Sequence, residues 1–134
     1  DPVGAYVAFK KVNNLLFISG QLPISNDGKM IKGQIGKDLT LEDGLQASKL
    51  CVINILAQAK KALNGDLNNI KNCVKITGFV NSTDDFKDQP KVINPASETL
   101  SAVFGDKGKH ARVAISANSL PLGAAVEIDA IFEI

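Results

Sequence analysis

The sequence predicts a single α+β domain spanning residues 1–134, a mixed β-sheet with two helices packed on one face. Three observations carry this. One segment, residues 41–63, repeats its apolar residues with a helical period of 3.6. Several short segments alternate apolar and polar residues with a period of two, most clearly 110–117 and 126–134. The elements follow in the order β-β-(β)-α-β-α-β-β, and 134 residues at 45% hydrophobic content suit one core in two layers.

Residues 7–10 read as a short strand, Asn13-Asn14 as a turn, and 15–19 as a second strand stopped by Gly20, together a hairpin. Leu22 precedes Pro23 and is therefore extended. Ser25-Asn26-Asp27-Gly28 is a turn whose glycine accepts positive φ, and residues 30–33 form a further short strand. Thr40 caps the first helix, with Asp43 at the capping-box position. Leu41, Leu45, Ser48, Val52, Ile55, Leu56, Ala59 and Leu63 form its buried stripe, and Gly65 lies just past its end.

Residues 70–80 hold a strand in which Val74, Ile76, Gly78 and Val80 alternate with Cys73, Lys75, Thr77 and Phe79. The second helix opens at Asn94-Pro95, a good cap followed by proline at the first helical position. Its stripe is Ala96, Leu100, Val103 and Phe104. Two strands close the chain, joined through Leu120-Pro121-Leu122-Gly123; paired as a hairpin, they would bring Glu127 near Arg112. The sheet face away from the helices would carry Cys73, Thr77, Phe79, Ala114 and Ile131. An outer face this apolar calls for a partner, so the pattern predicts a homo-oligomer.

The net charge of +1 argues against a binder of duplex DNA, which needs a basic excess. One tyrosine, six phenylalanines and no tryptophan argue against a base-stacking platform. No apolar run is long enough for a transmembrane helix and no signal peptide is visible, so the expected setting is cytoplasmic, without a membrane partner. Cys51 and Cys73 sit in apolar patterns and read as buried free thiols. There is no CxxC, and His110 is the only histidine, so neither a disulfide nor a metal site is expected.

Phosphate-loop, zinc-protease and nucleophile-elbow motifs are all missing. What stands out is Arg112, the only arginine, set in the otherwise apolar run Ala111-Arg112-Val113-Ala114-Ile115. A planar guanidinium there suggests the bidentate grip that suits a carboxylate or phosphate. The competing reading is a structural salt bridge to Glu127 across the sheet. Glu127, between Val126 and Ile128, and Tyr6, the only tyrosine, are the other candidates.

Several segments together resemble the RidA (YjgF) family of reactive-intermediate deaminases. Residues 3–10 resemble its opening motif, and 14–23, Asn-Leu-Leu-Phe-Ile-Ser-Gly-Gln-Leu-Pro, match its N-x-[LV]-[FY]-[IV]-S-G-Q-[IL]-P segment. His110-Ala111-Arg112, Leu120-Pro121 and Val126-Glu127-Ile128-Asp129-Ala130 match its later motifs. The sequence is similar in particular to a longer branch with G-[RK]-H-A-R and L-P-L-G-A-A-V-E. The resemblance implies a chorismate-mutase-like fold and a homotrimer with ligand clefts between subunits. It also implies hydrolysis of small enamine or imine intermediates bearing a carboxylate to 2-keto acids and ammonia, with no cofactor and no metal.

Carried over residue by residue, Arg112 would bind the substrate carboxylate, Glu127 would position or activate water, and Tyr6 would close the pocket with a hydrogen bond. Gly20 and Ala114 would give backbone contacts, Ser19 would line the cleft, and Asn94 or Ser97 would be its polar lining. Val113 and Ala114 stand where the family commonly has serine and cysteine, and Ala5 and Val7 where it has proline and serine, which implies a pocket of altered polarity. The resemblance also leaves two alternatives: a non-catalytic small-carboxylate-binding or regulatory trimer, and an RNA-directed translation inhibitor or endoribonuclease.

Overall fold

In the computed structural model, which describes Pro2 and residues 4–134, the first helix forms where its signals place it. Helix α1 spans Leu41–Ala62, and both halves of the capping box are made: Asp43 N–H donates to the Thr40 hydroxyl, and the Asp43 carboxylate accepts from Thr40 N–H. Asn64 and Gly65 take positive φ just beyond it. Its inward face buries Ala47, Cys51, Val52, Ile55 and Ala59 completely.

The strands are β1 (Phe9–Val12), β2 (Leu15–Gln21), β3 (Asn72–Asn81), β4 (Ala111–Ala117) and β5 (Val126–Glu133), with helix α2 (Gln89–Phe104) between β3 and β4. The sheet order is β1-β2-β5-β3-β4. β1 and β2 form the expected hairpin, with Asn13 at φ 54 in its turn. Both helices cover one sheet face, where Leu16, Ile18, Ile76, Val80, Val126, Ile128 and Phe132 meet Val92, Ile93, Ala96 and Leu100 of α2. Phe104 packs edge-on to Phe132, ring centres 6.1 Å apart. Gly78 lets α2 approach the sheet, since a Cβ there would lie 2.5 Å from Ile93 Cδ1.

Several expectations are corrected. Gly20 does not stop β2: the strand runs on to Gln21 through an irregularity between Ile18 and Gln21. Residues 30–33 make isolated bridges, Met30 to Ile24 and Lys32 to Ala124, and no strand. Helix α2 begins at Gln89 with Pro90 in its first turn, and Pro95 lies inside it. The apolar stripe extends back through Val92 and Ile93, both fully buried, and this packing outweighs the backbone bond that Pro95 forgoes.

The last two strands are not a hairpin. β4 pairs parallel with β3 at the sheet edge, whereas β5 lies between β2 and β3. On the outer face the register aligns Phe17 with Ile131, and Phe79 with Ile115 and Glu127. Thr77, Phe79 and Ile131 are therefore on it as expected. Cys73 is not: the register shift between Cys73 and Lys75 turns it into the core, where it is 2% exposed. Ala114 pairs with Gly78 and packs against the core on the helix side.

Candidate functional site

The structure sorts the candidate residues into two separate groups. The first surrounds a cavity of about 450 Å³ lined by Tyr6, Ser19, Gly20, Gln21, Leu22, Asn54, Leu122 and Glu127, among others. Local bonds build its walls. Ser19 N–H donates to Ala8 O (2.9 Å) and its hydroxyl to Val7 O (2.6 Å), which holds the segment carrying Tyr6 against β2. Asn54 of α1 donates to Leu22 O (2.9 Å) and Ile24 O (3.0 Å), fixing the chain that leaves β2. A side chain at Gly20 would overlap Glu127 Oε2, so glycine makes room for the carboxylate. Val3, the first residue of the matched opening segment, lies outside the described residues.

Glu127 is half-buried and, among the described residues, makes no ion pair. Burial pushes its carboxyl above the usual range, and the charge of Asp129 pushes it further. Burial also raises Asp129, partly offset by hydrogen bonds from Thr77 and the charge of Lys75. A carboxylate so placed, with no cation to neutralise it, is suited to take and return a proton.

The second group lies under α2 at the β4 edge. Arg112 Nη1 donates to Asn94 Oδ1 (2.9 Å) and Ser97 Oγ (3.2 Å), and Nη2 to Pro90 O (3.4 Å). All three acceptors are neutral, and among the described residues Arg112 has no acidic partner. The salt bridge to Glu127 is thereby overturned: β3 lies between Arg112 on β4 and Glu127 on β5, and the two side chains project from opposite faces. Of a guanidinium's five donors, three are used, and its charge stays available to an anion. Ala114 is on the same side of β4, two residues on.

Sequence reasoning missed Gln21, Asn54 and Leu122 as cavity walls, and His110 as a partner of Ser97. Leu122 does carry a structural signal, a left-handed φ of 59 on a non-glycine residue at the cavity rim. His110 was visible as the single histidine and as the first residue of the His110-Ala111-Arg112 match, with no local sign of its bond to Ser97.

A two-layer α+β domain with both helices on one sheet face, an arginine at an open edge strand and a half-buried acid across the sheet defines the class. The particular family follows from comparison: residues 1–133 match the family described as "YjgF/chorismate_mutase-like, putative endoribonuclease", and the chain belongs to this RidA/YjgF superfamily. Protein TCP17 of Trypanosoma cruzi is 41% identical over 134 residues, covering 99% of this chain and 83% of that protein. A RutC family protein of Pyrococcus abyssi is 31% identical over 131 residues, covering 97% and 87%. The crystal structure of Atu1372 from Agrobacterium tumefaciens superposes with a TM-score of 0.94 at 48% identity, covering 96% of this chain and 82% of that one.

Proposed function

We propose that this protein hydrolyses small enamine or imine intermediates bearing a carboxylate to 2-keto acids and ammonia. It would do so as a homotrimer whose clefts join Arg112, Asn94, Ser97 and Ala114 of one copy to Tyr6, Ser19, Gly20 and Glu127 of the next. The observation that carries this reading is the pair of uncompensated opposite charges. Among the described residues Arg112 is held only by neutral acceptors and Glu127 has no cation, and the two lie on different parts of the chain. A ring of copies brings such complementary surfaces together. The open edge of β4 and the exposed Val113 and Ile115 supply further surface for the contact. The match of residues 1–133 to the family model supports the same assignment.

In this mechanism the Arg112 guanidinium grips the substrate carboxylate and sets the C=N carbon facing the acid. The Glu127 carboxylate accepts a proton from water as its oxygen bonds to that carbon, giving a carbinolamine. The acid returns the proton to nitrogen, then accepts the hydroxyl proton as the C–N bond breaks. Ammonia leaves and takes that proton, and Glu127 is again a carboxylate. These steps act on the iminium, which an enamine becomes by taking a proton from solvent at its β-carbon and an imine by taking one at nitrogen; its carbon is electrophilic, so orientation and one proton relay then suffice.

The test is release of ammonia and pyruvate from freshly generated 2-aminoacrylate above the spontaneous rate. Arg112→Lys keeps the charge but loses the planar fork, and should weaken binding of 2-oxobutanoate by about 2 kcal/mol. Glu127→Gln should lower kcat by roughly 10²-fold with keto-acid binding largely kept. Wild-type protein that binds 2-oxobutanoate through Arg112 but never exceeds the spontaneous rate would be a binder and not a hydrolase.

A further inference from the structure

We infer that His110 is a positioning residue: acting through Ser97, it orients the Arg112 guanidinium that receives the substrate carboxylate. This rests on the proposed role of Arg112. The His110 ring lies between two oxygens, with Nδ1 2.6 Å from Gly108 O and Nε2 2.8 Å from Ser97 Oγ. A carbonyl oxygen only accepts, so Nδ1 carries the hydrogen. In the neutral ring Nε2 is then a bare acceptor, and the Ser97 hydroxyl donates to it. With its proton committed to His110, Ser97 Oγ turns its lone pairs to Arg112 Nη1, 3.2 Å away. The bonds thus run in one direction, from guanidinium to hydroxyl to imidazole, with the imidazole anchored on a main-chain carbonyl.

The anchor is itself rigid. Gly108 ends the 3₁₀ turn Gly105–Gly108 and is buried. A Cβ on Gly108 would run into the Leu100 carbonyl of α2, so the turn packs directly on the helix backbone. Asn94 Oδ1 and Ser97 Oγ are both acceptors of Nη1 and lie on α2, which the same turn follows. Without His110, the Ser97 hydroxyl can rotate and point its hydrogen at Arg112, and one of the three bonds that hold the guanidinium is lost. The plane of the bound carboxylate follows the plane of the fork, so the effect falls on carboxylate recognition more than on proton transfer at Glu127.

The experiment measures the affinity for 2-oxobutanoate, together with KM and kcat, in the assembled protein. His110→Phe should raise Kd and KM about 5- to 10-fold with kcat changed less than about 2-fold, the size expected for one neutral hydrogen bond. Ser97→Ala should do the same, and adding His110→Phe to Ser97→Ala should cost nothing more, because the path is already cut. His110→Gln, whose Oε1 can sit near Nε2 and accept from Ser97, should restore most of the affinity. In the unmodified protein, ¹⁵N spectra of the imidazole should show Nδ1 protonated and Nε2 bare, a readout that requires no variant to fold. Wild-type affinity in His110→Phe, full additivity with Ser97→Ala, or a doubly protonated ring would overturn the inference. Arg112→Ala serves as the reference: unchanged keto-acid binding in that variant would instead overturn the role proposed for Arg112.

Discussion

Mixing two inactive variants tests the shared cleft directly. In the register, Arg112 lies beside Ile76 and Ile76 beside Ala130, three residues from Glu127. Two strand spacings and three residues along the strand put the Cα atoms about 14 Å apart within one chain. The side chains also leave opposite faces, since Arg112 shares the face of Ile76 and Glu127 that of Phe79. A reacting centre needs its groups within about 3.5 Å, so one copy does not assemble the site. Arg112→Ala and Glu127→Gln should each be nearly inactive alone. Co-expressed in equal amounts with different tags, they should form mixed rings. A cleft is intact when its arginine side comes from the Glu127 variant and its acid side from the Arg112 variant. Half of each kind gives about one quarter of the clefts, so the mixture should show about a quarter of wild-type activity. Ammonia release is the assay, and native mass spectrometry establishes that the rings are mixed. Mixed rings with no more activity than either parent would refute the reasoning, since a site within one chain gains nothing from mixing.

The remaining predictions concern the acid, the packing and the thiols. Glu127 must be ionised to accept a proton, so activity should fall as pH drops through its raised pKa; Asp129→Asn removes the neighbouring negative charge and should move this acid limb of kcat/KM to lower pH. An unmoved or upward-shifted limb would exclude the Glu127–Asp129 coupling. Gly78→Ala should cost about 1–3 kcal/mol in urea unfolding, because the new methyl meets Ile93 Cδ1, and Ile93→Val in the same chain should recover part of the loss. Cys51 is fully buried and burial raises its thiol, while the Cys73 thiol is pushed up to about 12. Neither should react with a disulfide reagent until the protein unfolds; one thiol titrating in the folded state, with loss of activity, would contradict this.

Features governed by neighbours a few residues apart were legible in the sequence. The α1 capping box is one, since Thr40 and Asp43 meet within a single turn whatever surrounds them. The β1–β2 hairpin and the alternation of β4 and β5 are others: Arg112 and Val113 fall on opposite faces because successive strand residues must. Motif likeness also picked out Tyr6, Ser19, Gly20 and Glu127, which line one cavity, and Asn94 and Ser97, which hold Arg112.

Long-range pairing was not legible, because no local signal says which strand lies beside which. Two adjacent alternating segments suggested a hairpin, yet β5 lies between β2 and β3 and β4 moved to the edge, which parted Arg112 from Glu127. The register shift after Cys73 inverted a face that alternation alone would assign. The start of α2 was set by Val92 and Ile93 finding the core against the local preference of Pro95. The link from His110 through Ser97 to Arg112 likewise joins a turn, a helix and a strand, and it exists only once all three are packed. Local conformational preferences act over a few bonds; strand order and side-chain meetings depend on which apolar surfaces bury one another, a property of the whole chain.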